Sequence, residues 1–389
     1  MIDINKITEE INNKCKNITR YNNSLQKTIE LLKDWFKTTN FEQTNFILNK
    51  LPDKNSKSEL LLCYPTRSNS IYEKHKCSNI EEYSVVAVDG SNTDIDRHNL
   101  ILYYLLNIAL VEIDYNKDSS SFFHQTQPFV FIDEDVISQK SGYYDIKSTA
   151  EISKERQTLE FRFIKDYVNR KLDNDRVTIV LFDGNLINWA ENRQDNRFGR
   201  KPYEEIEELF KLSKNKNIVI CGFISSPKNT LLSNLYRVNW CPYKKLRCQN
   251  CEESFFSECI KYSKIKDWLF FDNLNEGEYT TFFYSFGRES DILFPTDVVF
   301  TYLNTGNEIA RIELPAYLLD DNEKVQRVIS AIFHQTKLGF GYPISLTHAH
   351  NLSTITNADK KTIEGIIYSV IENNLPFSSK KINKLNRII

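Results

Sequence analysis

The 389-residue chain has no apolar run long enough to cross a membrane, and its N-terminus is polar and charged, unlike an export signal. The longest apolar run, Leu100 to Ile113, is interrupted by Asn107 and Glu112. Net charge is also nearly absent: 50 Lys and Arg against 52 Asp and Glu leave a formal −2. Any grip on nucleic acid must therefore come from a local basic surface, because the whole-molecule field attracts little. The phosphate-loop pattern G-x-x-x-x-G-K-S/T is missing, as are G-x-S-x-G and H-E-x-x-H. Those absences remove an ATPase of the P-loop kind, a serine hydrolase and a zincin. No internal repeat is visible, which excludes a solenoid. Eight cysteines without an export signal point to reduced thiols or metal ligands, not a disulfide framework. The chain reads as soluble and cytoplasmic, with room for one large core and a second small domain.

What is present begins with a long helix over residues 3–37. Ile4, Ile11, Ile18, Leu25 and Leu32 recur at heptad spacing, with Ile7, Tyr21 and Trp35 beside them; Lys14 and Thr28 interrupt the second seam. A seam of this kind packs on another helix, and the reading adopted is an arm that pairs with a second subunit. Residues 38–80 are polar and linker-like, with a short helix near Phe41–Leu51. From Tyr83 the pattern predicts strands at Val85–Val88, Leu100–Ile113 (as two elements) and Phe129–Ile132. A helix over Thr149–Arg170, a strand at Thr178–Phe182, a helix at Tyr203–Ser213 and a strand at Ile218–Ile224 follow. Val298–Leu303 and Ile309–Leu314 flank Asn304-Thr305-Gly306-Asn307, a hairpin signal. Helices near Asn322–Lys337 and Ala358–Glu372, the second capped by Asn357, close the chain. Strands alternating with helices imply a three-layer α/β core with some antiparallel pairing.

Two segments share one grammar: Val85-Val86-Ala87-Val88-Asp89-Gly90-Ser91 and Val177-Thr178-Ile179-Val180-Leu181-Phe182-Asp183-Gly184-Asn185. Each reads as a buried strand with a carboxylate at its C-terminal end. Two such carboxylates on a stiff frame suit a divalent cation, although Asp-Gly also marks a simple turn. In the helix before the second segment, Glu160 lies on the apolar face with Phe163, Ile164 and Tyr167, whereas Glu155 points away. An inward carboxylate needs a metal or a partner, and Arg156, one turn earlier, offers the plain ion pair.

Gly339-Phe340-Gly341-Tyr342-Pro343 forms a tight loop ahead of Thr347-His348-Ala349-His350. After a short strand at Ile344–Leu346, His348 and His350 would face the same side; in a helix they would diverge. Arg311 and Glu313 share a strand face, which allows a further acidic neighbour or a salt bridge. Cys241, Cys248, Cys251 and Cys259 include a Cys-x2-Cys knuckle and read either as one structural zinc site or as four reduced thiols. Lys228 and Arg237 are candidate DNA-backbone contacts. Lys380, Lys381, Lys384 and Arg387 form a small basic tail.

The ordered set Ala-Val-Asp-Gly-Ser (87–91), Arg-x3-Glu (156–160), Leu-Phe-Asp-Gly-Asn-Leu (181–186), Arg-Ile-Glu-Leu-Pro (311–315) and Gly-Tyr-Pro…Ala-His (341–350) resembles the NurA nuclease family over about residues 83–371. The resemblance implies an RNase H-like mixed sheet flanked by helices and a dimer. It also implies Mn²⁺- or Mg²⁺-dependent degradation of DNA beside a hexameric HerA-type ATPase. It carries Asp89, Glu160 and Asp183 over as metal ligands and Tyr342 and His350 as the remaining site residues, with His350 either holding a metal or moving a proton. Asn185 departs from the family's usual Asp-Gly-Ser. The domain reading is a helical arm and linker at 1–80, an RNase H-like nuclease domain at 81–375 with a Cys-rich insertion at 241–260, and a basic tail at 376–389. Two alternatives remain: another RNase H-like nuclease, and a catalytically silent adaptor of an ATPase–nuclease complex.

Overall fold

The computed structural model describes residues 3–41, 47, 49–50, 60–68, 70–97, 101–140, 143–171, 176–186, 201–214, 216–286 and 298–371. In chain order its elements are α1 (Ile4–Thr38), β1 (Leu62–Pro65), β2 (Lys74–Lys76), β3 (Tyr83–Asn92), β4 (Tyr103–Tyr115), β5 (Ser120–Ile132), β6 (Ile137–Lys140) and β7 (Tyr143–Ile146). Then come α2 (Thr149–Arg170), β8 (Thr178–Asp183), α3 (Lys201–Lys214), β9 (Ile218–Ile224), α4 (Leu231–Trp240), α5 (Glu253–Tyr262), β10 (Glu278–Thr280) and β11 (Phe283–Phe286). The series ends with β12 (Val298–Asn304), β13 (Ile309–Pro315), α6 (Asn322–Leu338), α7 (Ile344–Ser353) and α8 (Asn357–Ile371). The chain divides into two units, Met1–Ser78 with Phe223–Gln326, and Asn79–Gly222 with Arg327–Ile389. Among the described residues no helix is long and apolar enough to cross a membrane, and all eight cysteines are free thiols.

In the first unit the heptad seam of α1 splits in two. Leu32 and Phe36 are fully buried among Leu232, Leu235, Phe270 and Phe271, with Leu25, Ile29 and Trp35 alongside. Ile4, Ile7 and Ile11 are instead exposed. The C-terminal half of the arm is therefore part of its own unit's core. Residues 60–76 are not a linker: β1 pairs with β11, β2 pairs with β10, and Leu62, Cys63 and Ile71 are fully buried. Short apolar islands in a polar stretch conceal such strands from a periodicity reading. The helix expected at Phe41–Leu51 falls largely outside the described residues. The β12–β13 hairpin has the expected register, Asn304 opposite Ile309, and turns through Gly306 at φ 93°.

Three buried charged side chains anchor this unit. The Asp267 carboxylate accepts from the Leu231 and Leu232 N–H groups at 2.9 and 3.0 Å and from the Tyr302 hydroxyl at 3.0 Å. It therefore caps α4 from outside the helix, satisfying donors that the first turn leaves unpaired. Burial raises its pKa to about 6 against these hydrogen bonds. Arg311 and Glu313, each 1 % exposed, form a 2.6 Å ion pair along β13, and the guanidinium lies 3.6 Å from the Phe300 ring centre. The salt-bridge reading of these residues holds.

The second unit is built on a mixed sheet in which β9, β8, β3, β4 and β5 are successive neighbours. β3 and β8 run parallel, whereas β3–β4 and β4–β5 are antiparallel. Val85 to Val88 are at most 1 % exposed, with α2 and α7 packed on their strand. Burial on both faces explains why this strand reads as an unbroken apolar run.

Where two elements were expected within Leu100–Ile113, the described residues form a single strand, β4, from Tyr103 to Tyr115. Asn107 and Glu112 do not interrupt it, because Asn107 bonds the end of α7 and Glu112 pairs with Lys171. The strand expected at Phe129–Ile132 is only the last part of β5, whose mostly exposed start lacks alternation. Helix α8 is capped by Thr356, not Asn357. Its hydroxyl accepts from the Asp359 N–H at 3.2 Å, and Asp359 accepts from the Thr356 N–H at 2.8 Å, a reciprocal pair that satisfies two donors at once.

Candidate active site

The second unit gathers five side chains from distant points in the sequence. Val88 pairs with Phe182 in the parallel ladder, so Asp89 and Asp183 follow side by side on adjacent strands. Asp183 ends β8 as expected. Asp89 does not end β3, which runs on to Asn92 through pairs with β4; only its ladder with β8 stops there. The Asp-Gly turn reading therefore fails at Asp89.

Gly90 is needed for close approach. A Cβ there would lie 2.7 Å from both Glu160 Oε1 and Ile108 Cδ1, and 3.0 Å from Arg156 Cγ. Without a side chain at 90, α2 lies close against β3 and Glu160 faces the two aspartates. Helix α2 itself begins at Ser148, whose hydroxyl and backbone N–H exchange bonds with Glu151 in a capping box.

Glu160 is 8 % exposed. Burial drives its carboxyl up to about 8; Asp89 and Asp183 push the same way, and Arg156 and the Gly90 N–H oppose them. Oε1 has no hydrogen-bond partner. The Arg156 guanidinium stands 3.1 Å from that oxygen and 3.8 Å from Asp89 Oδ1, and it donates to the Gly90 carbonyl. The ion-pair alternative for Glu160 is thus present within the acidic cluster. Glu155 points elsewhere, accepting from the Tyr104 hydroxyl at 2.6 Å and from Lys147 at 3.0 Å.

Tyr342 and His350 arrive from the C-terminal segment. In the loop Gly339–Pro343, a Cβ on Gly339 would fall 1.9 Å from the Tyr342 carbonyl oxygen, so only glycine allows this fold-back. Gln335 on α6 holds the exit, accepting from the Ser345 N–H at 3.2 Å while donating to the Tyr83 and Tyr115 hydroxyls. Tyr342 is thereby delivered to Asp183 and donates a hydrogen bond to it. Desolvation raises the Asp183 carboxyl, against that bond.

Ile344–Leu346 is not a strand. It opens α7 directly after Pro343, whose fixed φ suits a helix start. Residues two apart on a helix diverge, and so do the histidines. His350 Nδ1 lies 2.9 Å from Asp89 Oδ2, whereas His348 rests against the Phe122 ring at 5.4 Å.

Three supporting residues escape the sequence reading. The Ser353 hydroxyl donates to Asp89 at 3.2 Å, while Asn107 and Ser91 donate to the last carbonyls of α7 and fix its end. Asn107, a lone amide in an apolar run, was the visible signal.

In the first unit, Cys241, Cys248, Cys251 and Cys259 line one cavity of about 40 Å³ with Trp240, Tyr243 and Phe255. Desolvation raises the Cys248 and Cys251 thiols, with the neighbouring cysteines adding to it. The Arg237 guanidinium is engaged by Cys259 Sγ at 3.2 Å and Asn234 at 2.8 Å, and Lys228 is exposed. Among the described residues, no group of three or more His, Cys, Asp or Glu side chains is already arranged to hold a metal ion.

The NurA domain model matches residues 83–355. The chain belongs to the NurA family. A crystal structure of NurA bound to dAMP and manganese is similar at 12% identity, with 93% of this chain and 98% of that one covered and a TM-score of 0.39. NurA with manganese gives 11% identity, 90% and 98% coverage and a TM-score of 0.36. The A. aeolicus Argonaute gives 9% identity, 72% of this chain and 29% of that one, and a TM-score of 0.28. A search of curated proteins gives no match.

Proposed function

We propose that this NurA-family chain is a Mn²⁺- or Mg²⁺-dependent deoxyribonuclease that hydrolyses phosphodiesters at the Asp89–Glu160–Asp183 cluster. The observation that carries the reading is that Asp89 and Asp183, side by side on adjacent strands, both bear electrostatically on the buried Glu160 carboxyl, whose Oε1 has, among the described residues, only the ion pair with Arg156. Such hard oxygen donors fit a divalent cation by chemistry. Asp89, Glu160 and Asp183 would hold it, with His350 as a further ligand or proton carrier. When bound, an ion of this kind neutralises phosphate charge and activates water.

The chain's own groups do the rest. Tyr342 orients Asp183 through its hydroxyl, and Ser353 orients Asp89. His350, 67 % exposed at its side chain and tied through Nδ1 to Asp89, is placed to exchange a proton with solvent at Nε2. Purified protein should cut linear DNA with Mn²⁺ or Mg²⁺ and be inert in EDTA. Asp89→Ala and Asp183→Ala should each abolish cutting with the fold intact; full activity in both variants would refute the assignment.

Around this centre an RNase H-like nuclease domain over 81–375 would work as a homodimer in the cytoplasm. A hexameric HerA-type translocase would feed it DNA for end resection or for degradation of foreign DNA. Support comes from family membership and from the lack of a phosphate loop. Co-purification with such an ATPase, and DNA degradation with and without ATP, test it. Of the two backbone-contact candidates, Lys228 is exposed, whereas Arg237 is bonded internally to Cys259 and Asn234. Four thiols lining one cavity also fit a structural zinc by donor type. Elemental analysis should then find about one zinc per chain, lost in a Cys248→Ser, Cys251→Ser double variant with nuclease activity retained.

A further inference from the structure

We propose that Arg156 is the resident counter-cation of the acidic cluster, and that a divalent ion loads the site only by displacing its guanidinium. Arg156 would thereby set the metal concentration at which the site fills. The inference rests on the metal-nuclease reading and concerns how that site is regulated.

Three features support it. First, one guanidinium nitrogen serves the cluster: Nη1 is 3.1 Å from Glu160 Oε1, 3.8 Å from Asp89 Oδ1, and donates to the Gly90 carbonyl. A second cation drawn to the same two carboxylates meets a like charge already there. Second, the guanidinium is incompletely satisfied. Nε is buried without a hydrogen-bond partner, so moving the guanidinium into water relieves a desolvated donor and offsets part of what Nη1 gives up. Third, an exit exists. The Arg156 side chain is 28 % exposed and one helical turn from Glu160, so it can swing out by side-chain rotation with α2 in place. The Arg311–Glu313 pair shows the opposite case: both partners are 1 % exposed, and neither has a route to solvent.

The test uses metal-stripped full-length protein and measures Mn²⁺ affinity by calorimetry, alongside the melting temperature with and without Mn²⁺. Arg156→Met keeps the stem and removes the charge. It should bind Mn²⁺ about tenfold more tightly, within the usual range of coupling between two sites, while the metal-free protein melts lower and gains more on adding Mn²⁺. Arg156→Lys keeps the charge and should stay close to wild type. If Arg156→Met does not fold, Arg156→Gln reads the same affinity. A purely structural arginine would lower the metal-free melting temperature and leave Mn²⁺ affinity equal or weaker, which overturns the proposal. Tightening in Arg156→Lys as large as in Arg156→Met would overturn it too. Equal binding by all proteins refutes only this inference; no Mn²⁺ binding by any of them, even at millimolar concentration, refutes the metal-nuclease reading as well.

Discussion

Glu160→Gln should stabilise the metal-free protein at alkaline pH while destroying its activity. In the folded chain the Glu160 carboxyl is pushed from 4.5 to about 8, chiefly by burial. The folded state therefore holds its proton to higher pH than the unfolded chain does. Between those two values the native state binds more protons, so stability falls as pH rises. The penalty is absent below about pH 4.5 and complete above about pH 8. At about 1.4 kcal/mol per pH unit, the ionised carboxylate costs the metal-free fold roughly 5 kcal/mol. Glutamine removes that cost, in which the attraction of Arg156 is already included. The variant should thus be roughly 4 kcal/mol more stable than wild type at pH 8 in EDTA, and equal or slightly less stable at pH 4.5. Chemical denaturation across this pH range reads the difference. Added Mn²⁺ should narrow it by stabilising wild type alone. A difference that does not change with pH, or a variant less stable at pH 8, refutes the reasoning.

Glu155→Gln should retain near wild-type cutting and lose about 1 kcal/mol of stability through its bonds to Tyr104 and Lys147; a rate loss matching that of Glu160→Gln would contradict the assignment of the two faces of α2. Gly90→Ala should lower stability by about 1–3 kcal/mol and impair cutting, because its methyl group would press on Glu160, Ile108 and Arg156; thermal melting and a nuclease assay check both. Asp267→Ala should cost about 2–4 kcal/mol, since it strands two helix N–H groups and the Tyr302 hydroxyl, and urea denaturation measures it.

Much of this protein was legible from local pattern alone. The strands carrying Asp89 and Asp183, helix α2 with Glu160 turned inward, and the β12–β13 hairpin all follow from apolar periodicity and turn residues, which act over a few neighbouring positions. The two Asp-Gly segments and the Gly-Tyr-Pro…Ala-His segment marked the residues that the fold later brings together. What the pattern could not reveal is whatever depends on partners distant in sequence. β1 and β2 exist because β11 and β10 pair with them, and the polar start of β5 is a strand because β4 lies beside it. Local propensity favoured a strand at Ile344–Leu346, yet Pro343 and the Gln335–Ser345 bond start a helix there, which sends His350 to Asp89 and His348 to Phe122. The place of Arg156 among the carboxylates likewise depends on how closely α2 approaches Gly90. Sequence determined which residues carry charge and which faces are apolar; only tertiary packing decided which charges share one desolvated space, because that depends on distances between segments that local sequence does not encode.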